Sequence, residues 1–198
     1  MSDFFDDTPK PAATRFREVM LDLETMSLQP NASVIAIGAC TFDMKSLTIG
    51  ERFYCNVDHV SCQEVGLHLD ADTVMWWLSQ SEDARKSVTT GQRIALPAAL
   101  QGFANWLEAS TLPVKERCIW GNGANFDPVV LEQAYAACGY EVPWAFWGVR
   151  CFRTLKNLWP HIEPAKRTGT HHNALADAVY QAKLVQGMYK AMMSKVAA

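Results

Sequence analysis

Two carboxylates stand inside an apolar run, Val19-Met20-Leu21-Asp22-Leu23-Glu24-Thr25-Met26. The run reads as a strand. Side chains alternate between the two faces of a strand, so Asp22 and Glu24 point the same way while Val19, Leu21 and Leu23 fill the opposite face. That makes the strand central and buried. Two carboxylates side by side at the edge of a core repel each other and lose solvation. A positive charge has to compensate, and a divalent metal ion is the obvious candidate.

Around this strand the pattern predicts a mixed α/β fold. Residues 16–24 form the first strand, residues 34–42 a second and residues 51–57 a third, opened by Gly50. Two turns separate them, as in an antiparallel meander. From Asp70 the period changes to helical, with a helix from Asp72 that continues or restarts at Ser81. Pro97 suits the first turn of a helix whose apolar stripe is Ala99, Leu100, Phe103, Trp106 and Leu107. Residues 117–120 make a short strand, and a helix follows from Pro128. Residues 151–159 predict another short helix. Ala174 to about Met193 predicts a long final one, with Leu175, Val179, Ala182, Val185, Met188 and Met192 on one side. Three strands followed by alternating helices and strands argue for a mixed sheet flanked by helices.

Composition narrows the class. A length of 198 residues suits one domain, expected over 15–198 behind a flexible acidic arm at 1–14, and 49% hydrophobic residues are ample for a core. A net charge of −3 argues against a protein that coats nucleic acid by charge alone, though not against an enzyme that captures phosphates through metals. Six cysteines without a CxxC pair read as reduced core thiols of a cytosolic protein. The N-terminal residues lack the charged and apolar regions of a signal peptide, and no apolar run approaches the ~18 residues of a membrane span.

Two further motifs carry acids. Asp127 closes Trp120-Gly121-Asn122-Gly123-Ala124-Asn125-Phe126-Asp127 at a helix start. Taken alone it reads as an N-cap with Pro128 at N1, a role that still leaves carboxylate lone pairs for a ligand. His171-His172-Asn173-Ala174-Leu175-Ala176-Asp177 places Asp177 one turn inside an alanine-rich helix, with His172 just before it. Alone, Asp177 reads as a charge favouring the helix N-terminus and His172 as a loop residue. Together, Asp22, Glu24, Asp127 and Asp177 make an oxygen-rich set that suits Mg²⁺ or Mn²⁺. His172, which titrates near neutrality, adds a base. Two such ions ~3.5–4 Å apart stabilise the attacking and leaving oxygens of a phosphoryl displacement. A Walker-type phosphate loop is missing, so nucleoside triphosphate hydrolysis is unsupported.

In this order and spacing the motifs resemble those of the DEDD-superfamily 3'–5' exonucleases of the histidine-containing (DEDDh) branch, which have a ribonuclease-H-like fold. Asp22-Leu23-Glu24-Thr25 matches the first motif, Asp-x-Glu-Thr. Asn125-Phe126-Asp127 resembles the second, and the run from His172 to Asp177 matches the third, His-x-Ala-x-x-Asp. Met26-Ser27 and the Trp-Gly-Asn-Gly turn depart from the proofreading pattern; the turn, with the Trp76-Trp77 helix upstream, is more similar to the exonuclease VIII-like and related exoribonuclease group of bacteria and phages. The resemblance implies two divalent ions, Mg²⁺ or Mn²⁺, bridged by Asp22. Glu24 and Asp177 would complete the nucleophile-side ion, and Asp127 would support the second through water. His172 would be the general base, and 5'-nucleoside monophosphates the product. It implies a nucleic-acid substrate with a free 3'-end and a cytoplasmic setting in a bacterial or phage-infected cell. It makes a homodimer plausible while leaving oligomeric state open.

Substrate contacts are expected at Thr25, Met26, Asn125, Trp76 and Arg153. Each has a plainer reading: Met26 as a core methionine, Arg150 and Arg153 as solvated or ion-paired arginines. Adjacent helix residues point ~100° apart, so of Trp76 and Trp77 one is expected in the core and the other partly exposed. The rival to an exonuclease is a non-catalytic nucleic-acid-binding or replication/recombination accessory module that keeps the fold.

Overall fold

The computed structural model describes residues 14–162 and 171–196. Six strands form one sheet: β1 (Glu18–Thr25), β2 (Val34–Phe42), β3 (Ile49–Asp58), β4 (Arg93–Ala95), β5 (Cys118–Gly121) and β6 (Val149–Cys151), in the order β4-β3-β2-β1-β5-β6. β1, β2 and β3 are the expected antiparallel meander, while β5 and β6 extend the sheet in parallel from β1. The short edge strands β4 and β6 escape the sequence reading. The segment expected as an arm falls, apart from residue 14, outside the described residues.

Among the described residues, seven α-helices accompany the sheet: α1 (His59–Glu64), α2 (Ala71–Ser79), α3 (Glu82–Thr89), α4 (Leu96–Ser110), α5 (Asp127–Ala137), α6 (Phe152–Leu158) and α7 (Ala174–Val196). The helical segment from Asp70 divides, because Asp70 caps α2 through Thr73 N–H and Ser81 caps α3 through Ala84 N–H. Among the described residues, no helix is long and apolar enough to cross a membrane.

The alternation along β1 sets the layers. Val19, Leu21 and Leu23 pack with Leu100 and Phe103 of α4 and with Val130 and Leu131 of α5. Met20, on the other face, packs with Ala178, Ala182, Val185 and Met188 of α7. Each such large apolar side chain contributes roughly 1.5–3 kcal/mol when fully buried. The inner side of α7 is thus Ala174, Ala178, Ala182, Val185 and Met188, whereas Leu175, Val179 and Met192 are only half-buried. The small residues lead because the helix lies close on the sheet.

The closest approach is at Gly38. Gly38 is the β2 partner of Asp22. A Cβ there would lie 2.1 Å from the carbonyl carbon of Ala174 and 2.2 Å from the amide nitrogen of Leu175. Only glycine admits the first turn of α7 onto the strand face that carries the acids.

Candidate active site

β1 ends at the sheet's centre, and its last residues meet the start of α7. Asp22 is half-buried and Glu24 is 7% exposed, both on the α7 side. The loop into α7 is held from two directions. Asp177 accepts a hydrogen bond from His172 N–H at 3.1 Å, and Ser87 of α3 donates to the His172 carbonyl at 3.0 Å. His172 adopts a left-handed backbone (φ 60), uncommon for a residue with a side chain. Asn173, not Asp177, caps the helix, accepting from Ala176 N–H. The Asp177 carboxylate instead reaches back to the histidine loop.

One ligand atom each from Glu24, His172 and Asp177 lie within 4.8 Å of one another. The two buried or half-buried carboxylates offer oxygen ligands of the kind a hard divalent cation takes, and the imidazole stands beside them. Asp22 and Asp127 line the same cleft but stand outside this tight group.

Asp127 departs from the cap reading. The N-cap of α5 is Phe126, and Asp127 is the first helical residue. Its Oδ1 accepts from Leu23 N–H of β1 at 3.2 Å, and its Oδ2 from Asn122 N–H at 2.9 Å. The carboxylate therefore ties the second motif to the first instead of closing its own helix. With 3% exposure, burial pushes its pKa from 3.8 up to about 6, against the pull of the two amides and of Arg153. A raised value means that the folded protein holds this proton more tightly than the unfolded chain. The stability contributed by Asp127 is whole below 3.8 and lost as pH rises through about 6. Metal-free protein is expected to lose melting temperature over that window, and Asp127→Asn to flatten the loss. An identical slope in the variant would show that Asp127 does not titrate there.

The cleft has two lobes that share Leu23, Glu24 and Phe126. The acidic lobe, about 390 Å³, adds Asp22, Asp127, His172, Asp177 and Gln181, with Arg153 and Lys156 on its α6 side. The other lobe, about 500 Å³, is mostly apolar and includes Thr25, Leu28, Trp76 and Trp77. Trp77 is 5% exposed and Trp76 42% exposed, the split expected for neighbouring helix residues. Both rings nevertheless reach one place: their centroids lie 5.0 Å (Trp76) and 6.1 Å (Trp77) from the His172 ring. Trp77 Nε1–H also donates to the Thr25 carbonyl at 3.0 Å, pinning α2 to the end of β1.

The other expected contacts divide. Thr25 lines the apolar lobe, its hydroxyl donating to the Ser27 carbonyl. Arg153 lines the acidic lobe and donates to the Asn122 carbonyl at 2.6 Å. Met26 packs beside Ile35, Ala36, Trp77 and Ala174, in line with the core reading. Asn125 is exposed and lines neither lobe, whereas Asn122 does. Arg150 turns to the carbonyls of Trp147 and Val149. Sequence reasoning missed Gln181, Lys156 and Ser87. Gln181 had a signal, since it stands four residues beyond Asp177 on the same face of α7.

Comparison with solved structures places this architecture. Cell-death related nuclease 4 superposes with a TM-score of 0.61 at 16% identity, over 89% of this chain and 64% of that one. The nuclease domain of 3'hExo, a DEDDh family member bound to rAMP, gives 0.61 at 14% identity, over 91% and 95%. Escherichia coli exonuclease I, in complex with a dT13 oligonucleotide, gives 0.59 at 17%, over 90% of this chain but 43% of its own. This chain thus spans less than two thirds of the first and last of these proteins. The comparison with curated proteins returned no match. The fold is that of the ribonuclease-H-like exonucleases. A family model, the 3'-5' exoribonuclease Rv2179c-like domain, matches residues 17–189, and the chain belongs to that family of 3'–5' exonucleases.

Proposed function

We propose that this protein, as one exonuclease domain over residues 15–198, removes nucleotides singly from the 3'-end of single-stranded or overhanging RNA. The reaction uses two divalent cations, Mg²⁺ or Mn²⁺, and releases 5'-nucleoside monophosphates in the cytoplasm. The observation that carries the reading is the convergence of Glu24, His172 and Asp177 in an acidic lobe that opens onto an aromatic one. A terminal nucleotide needs both: a flat apolar surface for its base and a charge-neutralising centre for its phosphate. The Trp-Gly-Asn-Gly turn at 120–123 supports placement in an exonuclease VIII-like subgroup.

Asp22, Glu24 and Asp177 would hold the cations, and Asp127, whose oxygens already accept two amides, would contribute through water. Held there, the cations would supply neutralising charge at the phosphate and make the attacking water more acidic. His172 takes that water's proton at an imidazole nitrogen, its ring held by Trp76 and Trp77 and its backbone by Asp177 and Ser87. Trp76, half exposed, offers a stacking face, and Arg153 and Lys156 offer charge to phosphates.

His172→Ala is expected to lower turnover about 10²–10⁴-fold while Mn²⁺ affinity stays within a few-fold. Collapse of Mn²⁺ binding would make the histidine a ligand; unchanged turnover would remove it from the chemistry. The substrate is tested by a side-by-side assay on 3'-end-labelled RNA and DNA, blunt and overhanging, in Mg²⁺ and Mn²⁺. Mononucleotides from single-stranded or overhanging RNA are expected. Binding without release under any of these conditions would favour an accessory module instead, and cuts within a circular substrate an endonuclease.

A further inference from the structure

Gln181 faces the acidic lobe from α7, one turn beyond Asp177. It is 6% exposed. Its Nε2 donates to Asp22 Oδ1 at 2.7 Å, and its Oε1 is buried with no hydrogen-bond partner among the described residues. The chemistry fixes the amide's orientation. An ionised carboxylate only accepts, so the nitrogen must face Asp22 and the oxygen must turn elsewhere. Buried acceptors are almost always satisfied. Gln181 lines the cleft, but this oxygen is itself shielded from solvent, so the amide's contact with the site is the bond it donates to Asp22.

We infer that Gln181 is a positioning residue that sets the plane of the Asp22 carboxylate for cation binding. Holding one oxygen fixes where the other points, and the holding group sits on the helix that also brings Asp177. The same amide thus couples the strand's ligand to the helix's ligand. The inference rests on the reading of Asp22 as a metal ligand. A plainer role, a staple between α7 and β1, would act on stability alone.

Mn²⁺ is titrated calorimetrically into substrate-free, metal-stripped wild type, Gln181→Met, Gln181→Asn and Asp22→Asn. Metal-free melting temperatures and the Mn²⁺ dependence of turnover are recorded alongside. Methionine keeps the length and loses the donor; asparagine keeps the donor but falls a methylene short, and it carries the test if the methionine variant does not fold. Either variant is expected to weaken Mn²⁺ binding about 10–100-fold, the usual effect of losing a ligand's hydrogen-bond partner. The melting temperature should change little, and excess Mn²⁺ should restore most of the turnover. Wild-type Mn²⁺ affinity in the Gln181 variants, with affinity lost in Asp22→Asn, would overturn the inference and leave the staple. Wild-type affinity in Asp22→Asn would instead overturn the metal reading of Asp22.

Discussion

Asp177→Asn is expected to reduce nucleotide release at least roughly thousandfold, while the fold survives. The scale follows from the several kcal/mol of charge stabilisation that a bound ion supplies, at about 1.4 kcal/mol per tenfold in rate. The change is nearly isosteric. The asparagine oxygen can still accept the His172 N–H that the carboxylate accepts at 3.1 Å, so the histidine loop keeps its anchor. What disappears is a negative charge packed against Glu24 within the three-residue group. Removing one of several crowded like charges relieves repulsion, so the metal-free melting temperature should hold or rise. Release assays on 3'-labelled RNA together with thermal melts read both effects. Wild-type turnover in this variant would contradict the assignment of Asp177.

Gly38→Ala is expected to cripple the enzyme from a position that carries no chemistry. The added methyl would sit 2.1 to 2.5 Å from Ala174 carbonyl and Leu175 amide atoms, all backbone, so no side chain can swing aside. The first turn of α7 must lift from the sheet, taking His172, Asp177 and Gln181 with it. Overpacking of this kind costs about 1–3 kcal/mol or more. A displacement near 1 Å in a catalytic constellation costs on the order of 10²-fold in rate. Gly102→Ala is the control: its Cβ would meet nothing nearer than Phe53 at 4.0 Å, and it lies within α4. That variant should match or exceed wild-type stability, by roughly 0.5–1 kcal/mol. Wild-type melting and turnover in Gly38→Ala would show that α7 does not need its close seat.

The same two positions show what could be read from sequence and what could not. The β2 boundaries, Val34–Phe42, follow directly from an apolar run bounded by turn residues. That the acids and His172 belong together is legible because motif order is a one-dimensional property, and the structure brings all five to one cleft. The three-residue strands β4 and β6 were not, since strands so short exist only through their partners, β3 and β5. Asp127 misleads for a related reason. Residue type and Pro128 suggest a cap, but the amides that the carboxylate accepts belong to Leu23, 104 residues away, and Asn122. Gly38 acts across the β1–β2–α7 junction, which no local pattern encodes.

The central claim is that the strand and helix acids form one divalent-metal centre for 3'-end hydrolysis. Its most direct test is nucleotide release from 3'-labelled RNA as Mn²⁺ is titrated into metal-stripped protein, with the product's phosphate position determined. The account predicts no release without metal, a saturable rise with it, and mononucleotides bearing a 5'-phosphate. Release at full rate in the presence of a chelator, or products bearing a 3'-phosphate, would contradict it.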